Sequence, residues 1–192
     1  MGLFGDSDGN MIRENDVVDN NVPFVGENSQ ASGIRIEGPG ANGNLVGDNL
    51  VTGSGLDGIP IFADQSTGNF NTGNTIERNT VLDNGFGFLA ARPGHGIILF
   101  IRANDNIVRD NEVHDNAGNG ILAQFNVTLN EGAVNNLIEG NDARGNTLAA
   151  KPRAAYDLLD QNPQCDNNIW RNNLYLTAFP TCVRRGGGTP PA

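Results

Sequence analysis

A parallel β-helix, a chain wound into short strands stacked rung on rung, is the fold this sequence predicts, and three observations predict it. The central Asn of a recurring segment falls at Asn15, Asn49, Asn79, Asn111, Asn141 and Asn173, at separations of 34, 30, 32, 30 and 32 residues, and repeats of that period signal a stacked architecture. Apolar residues flank each Asn at fixed offsets: Ile12, Val46, Ile76, Val108, Ile138 and Trp170 three positions before it, and Val17, Val51, Val81, Val113, Ala143 and Tyr175 two positions after it. Short β-branched segments of this kind on either side of a bend read as short strands. A third strand follows each pair at Gly33-Ile-Arg-Ile, Gly58-Ile-Pro-Ile, Gly96-Ile-Ile-Leu and Gly120-Ile-Leu-Ala, and in the next rung at Ala155-Tyr-Asp-Leu. No single rung buries its apolar face alone, so about six coils of roughly 30 to 34 residues must stack into one solenoid.

The elements of a rung follow from their residues. Asn suits the bends because it tolerates left-handed backbone angles and bonds its own turn, and a stacked column of Asn can form an amide ladder. The Asn set is therefore read as architectural. On the outer surface Glu77, Arg109, Glu139 and Arg171 fall one above another with alternating sign, and Arg78 falls between Asp48 and Asp110. Such neighbours help fix the register between rungs. His114 falls in an outward slot shared with Val18, Thr52, Leu82 and Arg144, and is read as a surface residue.

Composition agrees with a slender aliphatic core: 192 residues, 38% hydrophobic but only 6% aromatic, with 26 Gly. One domain is expected over 1–183, with 184–192 a disordered tail. A net charge of −10 excludes the basic face that nucleic-acid binding requires. No apolar run is long enough to span a bilayer. The N-terminus has no signal-peptide pattern, yet Cys165 and Cys182 fall together in the last rung, where a disulfide would close the end of the coil in an oxidising compartment. Two free thiols are the alternative. Because Gly2-Leu3-Phe4 already matches the third-strand pattern, the chain reads as the C-terminal part of a longer exported protein, with further coils upstream or another subunit expected at the open N-terminal end. At the other end Trp170 and Tyr175 replace Ile and Val and are expected to plug the core.

Candidate chemistry gathers on the third strand. Its outward positions are read as Arg35, Pro60, Ile98, Leu122 and Asp157, then Glu37, Phe62, Phe100, Gln124 and Leu159. Pro60, Ile98, Leu122, Phe62 and Phe100 make an apolar patch facing away from the core, of the kind that marks contacts, unless the excursions at 63–73 and 125–135 fold over it. Longer loops precede this strand at 21–32, 85–95 and 147–154, and rigid scaffolds carry function on such loops. Two of them hold Arg92, His95, Lys151 and Arg153. Ser32, Asp57, His95 and Asn119 stack just before the strand, placing Asp57 one rung from His95, where it can orient the imidazole or raise its pKa.

The Asn-x-Ile-x-x-Asn-x-Val-x-x-Asn rung followed by Gly-Ile resembles the right-handed parallel β-helix repeat proteins of the pectate-lyase-like superfamily, over nearly the whole chain. The resemblance implies a right-handed, single-stranded parallel β-helix. It also implies polysaccharide as the substrate class, bound along the outer groove of the third strands, although the superfamily also includes accessory and surface proteins without catalysis. Gly94-His95-Gly96 is similar to the Gly-His-Gly of polygalacturonases, but the other motifs of those hydrolases are missing at the matching positions, including the paired acids that glycoside hydrolysis needs. The Asp-Pro-His of alginate epimerases is missing too. Calcium stays open without a clear site, since no rung holds a cluster of Asp. Lyase or epimerase chemistry on an acidic glycan needs a base and a cation at the carbon α to the carboxylate. His95 held by Asp57 is the candidate base, Arg92 and Lys151 are the candidate cations, and Phe62, Phe100, Arg153, Tyr156 and Asp157 are candidate substrate contacts. The alternative is a non-catalytic structural, adhesive or accessory β-helix.

Overall fold

The computed structural model describes residues 1–20, 31–63, 68–86, 94–146 and 155–185. Within them the repeated rungs wind as a right-handed parallel β-helix with three main sheets. The first strand of each rung joins a six-stranded sheet running Met11–Arg13, Leu45–Gly47, Thr75–Glu77, Ile107–Arg109, Leu137–Glu139 and Ile169–Arg171. The second joins a four-stranded sheet of Asp16–Val18, Leu50–Thr52, Thr80–Leu82 and Glu112–His114, continued by single bridges through Asp142 and Leu174. The third builds a glycine-led sheet of seven strands: Gly2–Phe4, Arg35–Glu37, Ile59–Phe62, Ile97–Leu99, Ile121–Ala123, Leu158–Asp160 and Ala178–Phe179. All of these pairings are parallel and in register, as Val108 opposite Ile76 and Ile138 illustrates.

Register puts like residues on top of one another, and the core follows from that. Val46, Ile76, Val108 and Ile138 are fully buried in one column and Val51, Val81 and Val113 in the next, facing Ile36, Ile61, Leu99 and Ala123 from the glycine-led sheet. Trp170 and Tyr175 close this column of aliphatic side chains at 3% and 6% exposure. Beyond them lies helix α1 (Thr181–Arg185), with Val183 buried against the end of the core. Arg184 and Arg185 thus belong to a helix rather than to the expected tail, because Val183 anchors the turn and the Arg184 Nε donates to the Ala178 carbonyl at 2.7 Å. Cys165 and Cys182 are joined in a disulfide, with 6.2 Å between their Cα atoms.

Asn side chains form three ladders instead of one. Beside the central column run Asn44, Asn74, Asn106, Asn136 and Asn168 on one side, and Asn84, Asn116 and Asn146 on the other. In each, an amide oxygen accepts the backbone N–H and usually the side-chain amide of the Asn one coil earlier; Asn111 Oδ1 takes both from Asn79, at 2.9 and 3.0 Å. The left-handed residue of each bend is the one before the central ladder Asn: Glu14, Asp48, Arg78, Asp110 and Asn172 have φ between 52° and 57°. The bend therefore costs its strain at an exposed position and leaves Asn free to turn its amide inward, where it satisfies backbone groups that the turn leaves open.

Ion pairs decorate the six-stranded sheet. Glu77 accepts from Arg109 Nε at 2.9 Å and Glu139 from Arg171 Nε at 2.6 Å. Arg78 bridges Asp48 and Glu77 instead of Asp48 and Asp110. Hydrogen bonds from Arg78 and Arg13 hold the Asp48 carboxyl down at a pKa of about 2.

Candidate functional site

The column before the glycine-led strands is where the proposed chemistry must be sought. Register aligns Gly58, Gly96 and Gly120 in successive coils, and Asp57, His95 and Asn119 immediately precede them. These glycines are required by crowding: a Cβ on Gly96 would stand 2.7 Å from the Gly120 carbonyl oxygen and 2.8 Å from Asn116 Nδ2, and would run into Val113 Cγ1. Tight stacking at the glycines brings each preceding side chain against the backbone of the next rung.

A fourth ladder results. Asp57 Oδ1 accepts the backbone N–H of His95 at 2.8 Å, His95 Nδ1 accepts the backbone N–H of Asn119 at 2.9 Å, and Asn119 Oδ1 accepts that of Tyr156 at 2.8 Å. Its sense is opposite to that of the Asn ladders, since each acceptor here lies one coil earlier than its donor. Asp57 sits beside His95 as the stacking predicts, but its carboxylate holds the main chain and not the imidazole. With Nδ1 accepting, the ring proton belongs on Nε2. His95 therefore lacks the free lone pair of a general base, and its ring is oriented by Asn119, not by Asp57. Gly118 leaves the room for it, since a Cβ there would lie 2.6 Å from His95 Nδ1.

Electrostatics favours the neutral ring that this bonding requires. Burial pushes the His95 pKa below its ordinary 6.5, outweighing the attraction of Asp57, so the ring stays neutral. Burial likewise raises the Asp57 carboxyl, against the opposing pull of His95 and Arg35. Because the folded pKa of His95 is depressed, its contribution to stability is complete above pH 6.5 and is lost as the pH falls below that, where the unfolded chain takes up the proton first. His95→Asn keeps an acceptor of the kind Asn119 already supplies. Thermal melts at pH 7 and pH 5 should show the wild type losing more stability than His95→Asn; equal losses would remove His95 from the ladder. Asp57 titrates in both proteins, and in His95→Asn its carboxyl, freed from the opposing pull of His95, is raised further, which lessens the variant's loss at low pH and acts in the same direction.

The remaining candidates divide. Arg92, Lys151 and Arg153 lie outside the described residues. Asp157 does not face outward as expected: it is 1% exposed, with Oδ1 accepting from the Asn146 N–H and Oδ2 from the N–H groups of Leu176 and Thr177. The reason is register. The next strand of the sheet is Leu158–Asp160, which pairs Leu158 with Ile121 and Leu159 with Leu122, two residues later than the sequence reading placed it.

Leu159 thus joins Ile98 and Leu122 on the outward face, at 8%, 2% and 3% exposure, with Phe100 and Tyr156 packed against them. This strip is a second small core, closed over its middle. Phe62 and Phe100 meet edge to face, with centroids 4.9 Å apart. The segment after Gln124 forms a hairpin, Phe125–Asn126 with Glu131–Gly132, whose tip residue Val127 is 83% exposed.

The face opens at its C-terminal end. There a cleft is lined by Tyr156, Leu159, Gln161, Gln164, Phe179 and Pro180. Tyr156 and Phe179 stack with centroids 5.5 Å apart, and Phe179 is 49% exposed. Of the predicted contacts among the described residues, only Tyr156 lines this cleft. Gln161, Gln164 and Phe179 were missed; the signal was the apolar pair Leu158-Leu159 aligned with Ala178-Phe179.

Among the described residues no group of three or more His, Cys, Asp and Glu is arranged to hold a metal ion, and no helix is long and apolar enough to cross a membrane. Comparison with curated proteins and with solved structures finds no match. The sequence model of one family, described as the right handed beta helix region, matches residues 2–152. That match spans most of the chain and coincides with the parallel stacking of its strands, and the chain belongs to the right-handed β-helix family.

Proposed function

We propose that this protein is an exported, non-catalytic β-helix that holds a polysaccharide chain on the outward face of its glycine-led sheet, at the cleft of Tyr156 and Phe179. The observation that carries the reading is the engagement of His95: its Nδ1 lone pair takes the Asn119 N–H, which leaves the ring proton on Nε2. Uronate lyases and epimerases need a free base beside the sugar, and this imidazole is committed to the fold. The cleft supports the binding half of the reading. An aromatic pair offers flat apolar surface for the carbon face of a sugar ring, while Gln161 and Gln164 supply amide donors and acceptors at its rim, the combination of apolar walls and a few polar groups found in ligand sites.

Calorimetric titration with neutral β-glucan oligosaccharides, polygalacturonate and alginate, followed in parallel by ultraviolet absorbance, tests both halves. Neutral chains should bind with little dependence on salt, Phe179→Ala should weaken binding about tenfold, a loss of ~1.4 kcal/mol, and absorbance should stay flat. Tighter, salt-sensitive binding of the uronates would favour the acidic-glycan reading, whose cations are Arg92, Lys151 and Arg153. A rise in absorbance that His95→Ala abolishes would overturn the non-catalytic reading.

A further inference from the structure

The last rung contains a device that the binding reading does not use. Gln164, Cys165, Asp166 and Asn167 all have positive φ, at 52°, 63°, 43° and 64°. Four successive non-glycine residues in the left-handed region form a backbone that L-amino acids resist, since each brings its Cβ against the following carbonyl. Local hydrogen bonds from the Cys165, Asp166 and Asn168 N–H groups to the carbonyls of Asn162, Pro163 and Cys165 hold the turn from within. The only covalent tie is the disulfide to Cys182.

Helix α1 at the other end of that tie is equally dependent on it. Five residues are too few to hold a helix unaided, and Val183 is the one side chain of α1 that is fully buried. The helix lies against the strands Ile169–Arg171 and Ala178–Phe179, over the end of the core that Trp170 and Tyr175 close. The two cysteines differ in access: Cys165 is 2% exposed, whereas Cys182 is only partly buried.

We propose that the Cys165–Cys182 disulfide is a redox latch, whose reduction by a dithiol releases α1 and the 164–167 turn together while leaving the rest of the stack folded. A thiolate of the reductant attacks the more accessible Cys182 sulfur, forming a mixed disulfide and expelling the Cys165 thiolate, which takes a proton. The second thiol of the reductant then displaces Cys182, leaving two protein thiols and one oxidised reductant, a balanced two-electron exchange. The freed turn relaxes out of the left-handed region, and α1 loses its covalent attachment to the coil, keeping only the burial of Val183 and the Arg184 bond to the Ala178 carbonyl, too little to hold a five-residue helix. Gln164 stands in that turn and Phe179 and Pro180 lead into α1, so the walls of the C-terminal cleft separate as the latch opens.

Hydrogen exchange on the folded protein, before and after addition of dithiothreitol, tests the latch without relying on any ligand. Reduction should speed amide exchange at residues 165–168 and 181–185 by about tenfold or more while the strands at Ile107–Arg109 and Glu112–His114 keep their protection, the pattern of local opening. A Cys165→Ser/Cys182→Ser protein should show the same pattern without reductant. Unchanged exchange at 165–168 and 181–185 after thiol titration shows both cysteines reduced would overturn the proposal. An equal rise at Ile107–Arg109 would overturn it too, because the disulfide would then support the whole stack and not a latch. Should the double variant fail to fold, the reduced wild type still decides, since it starts from the folded state.

Discussion

Asn111→Ala is expected to be among the most destabilising single changes in the chain, at about 3 to 5 kcal/mol, which for a protein of this size lowers the melting temperature by on the order of 10 °C. The side chain makes four hydrogen bonds. Its Nδ2 donates to the Ile76 carbonyl at 3.0 Å and to Asn141 Oδ1 at 2.9 Å, and its Oδ1 accepts from the Asn79 backbone N–H and Nδ2. Truncation leaves the Asn79 N–H without its acceptor where no water reaches, since Asn79 and Asn111 are each 1% exposed. An unmet buried donor costs roughly 1 to 3 kcal/mol by itself, well above the net worth of a bond exchanged with water. His114→Ala is the matched control on the same rung. It loses one bond, from the imidazole Nδ1 to the Arg144 carbonyl at 2.8 Å, at a half-buried position, and should cost under about 1 kcal/mol. Comparable melting temperatures for the two variants would show that the amide columns contribute little.

Gly96→Val should be at least as damaging, for a steric reason. The added Cβ meets a backbone oxygen of the neighbouring rung at 2.7 Å, and backbone held in register on both sides cannot retreat as a flexible side chain would. Overpacking of this kind costs about 3 kcal/mol, and here it also displaces the rung that carries Asn119 and the Ile121 strand. Gly47→Ala provides the comparison, because a Cβ there finds its nearest neighbour, the Glu77 carbonyl oxygen, at 3.4 Å. That change should alter stability by less than about 0.5 kcal/mol. Chemical denaturation of the three proteins side by side would expose any failure of the ranking.

The repeat was legible because a β-helix writes its period into the sequence: Ile76, Val108 and Ile138 are separated by whole turns and meet in one column. Legibility ended where the marker residues ended. The rung at Leu158–Asp160 carries Asp157 where its predecessors carry Gly, so the alignment slipped by two residues and Asp157 was placed on the surface. Its carboxylate instead receives the N–H groups of the following turn. The candidate site shows a second limit. Stacking arguments correctly set Asp57 beside His95, but they identify neighbouring residues and not neighbouring atoms. A backbone N–H from the next coil lies closer to each acceptor than the adjacent side chain does, so it claims the carboxylate of Asp57 and the imidazole of His95 alike. The left-handed bends were legible in kind and misplaced by one position, since Asp48 and Asp110 take the strained angle and the following Asn takes the inward hydrogen bonds.

The four ladders and three sheets share one geometric property: their hydrogen bonds run from coil to coil, along the axis of the stack. A load applied along that axis therefore pulls directly on the bonds instead of shearing strands past one another, and the molecule should yield by peeling one turn at a time. Each turn of about 32 residues would release roughly 110 Å of extended chain. The Cys165–Cys182 link keeps one terminal segment from unravelling first, so tension entering through residues 184 and beyond is passed to the body of the rod at Cys165. A protein assembled in this way is compliant in steps and strong across its width.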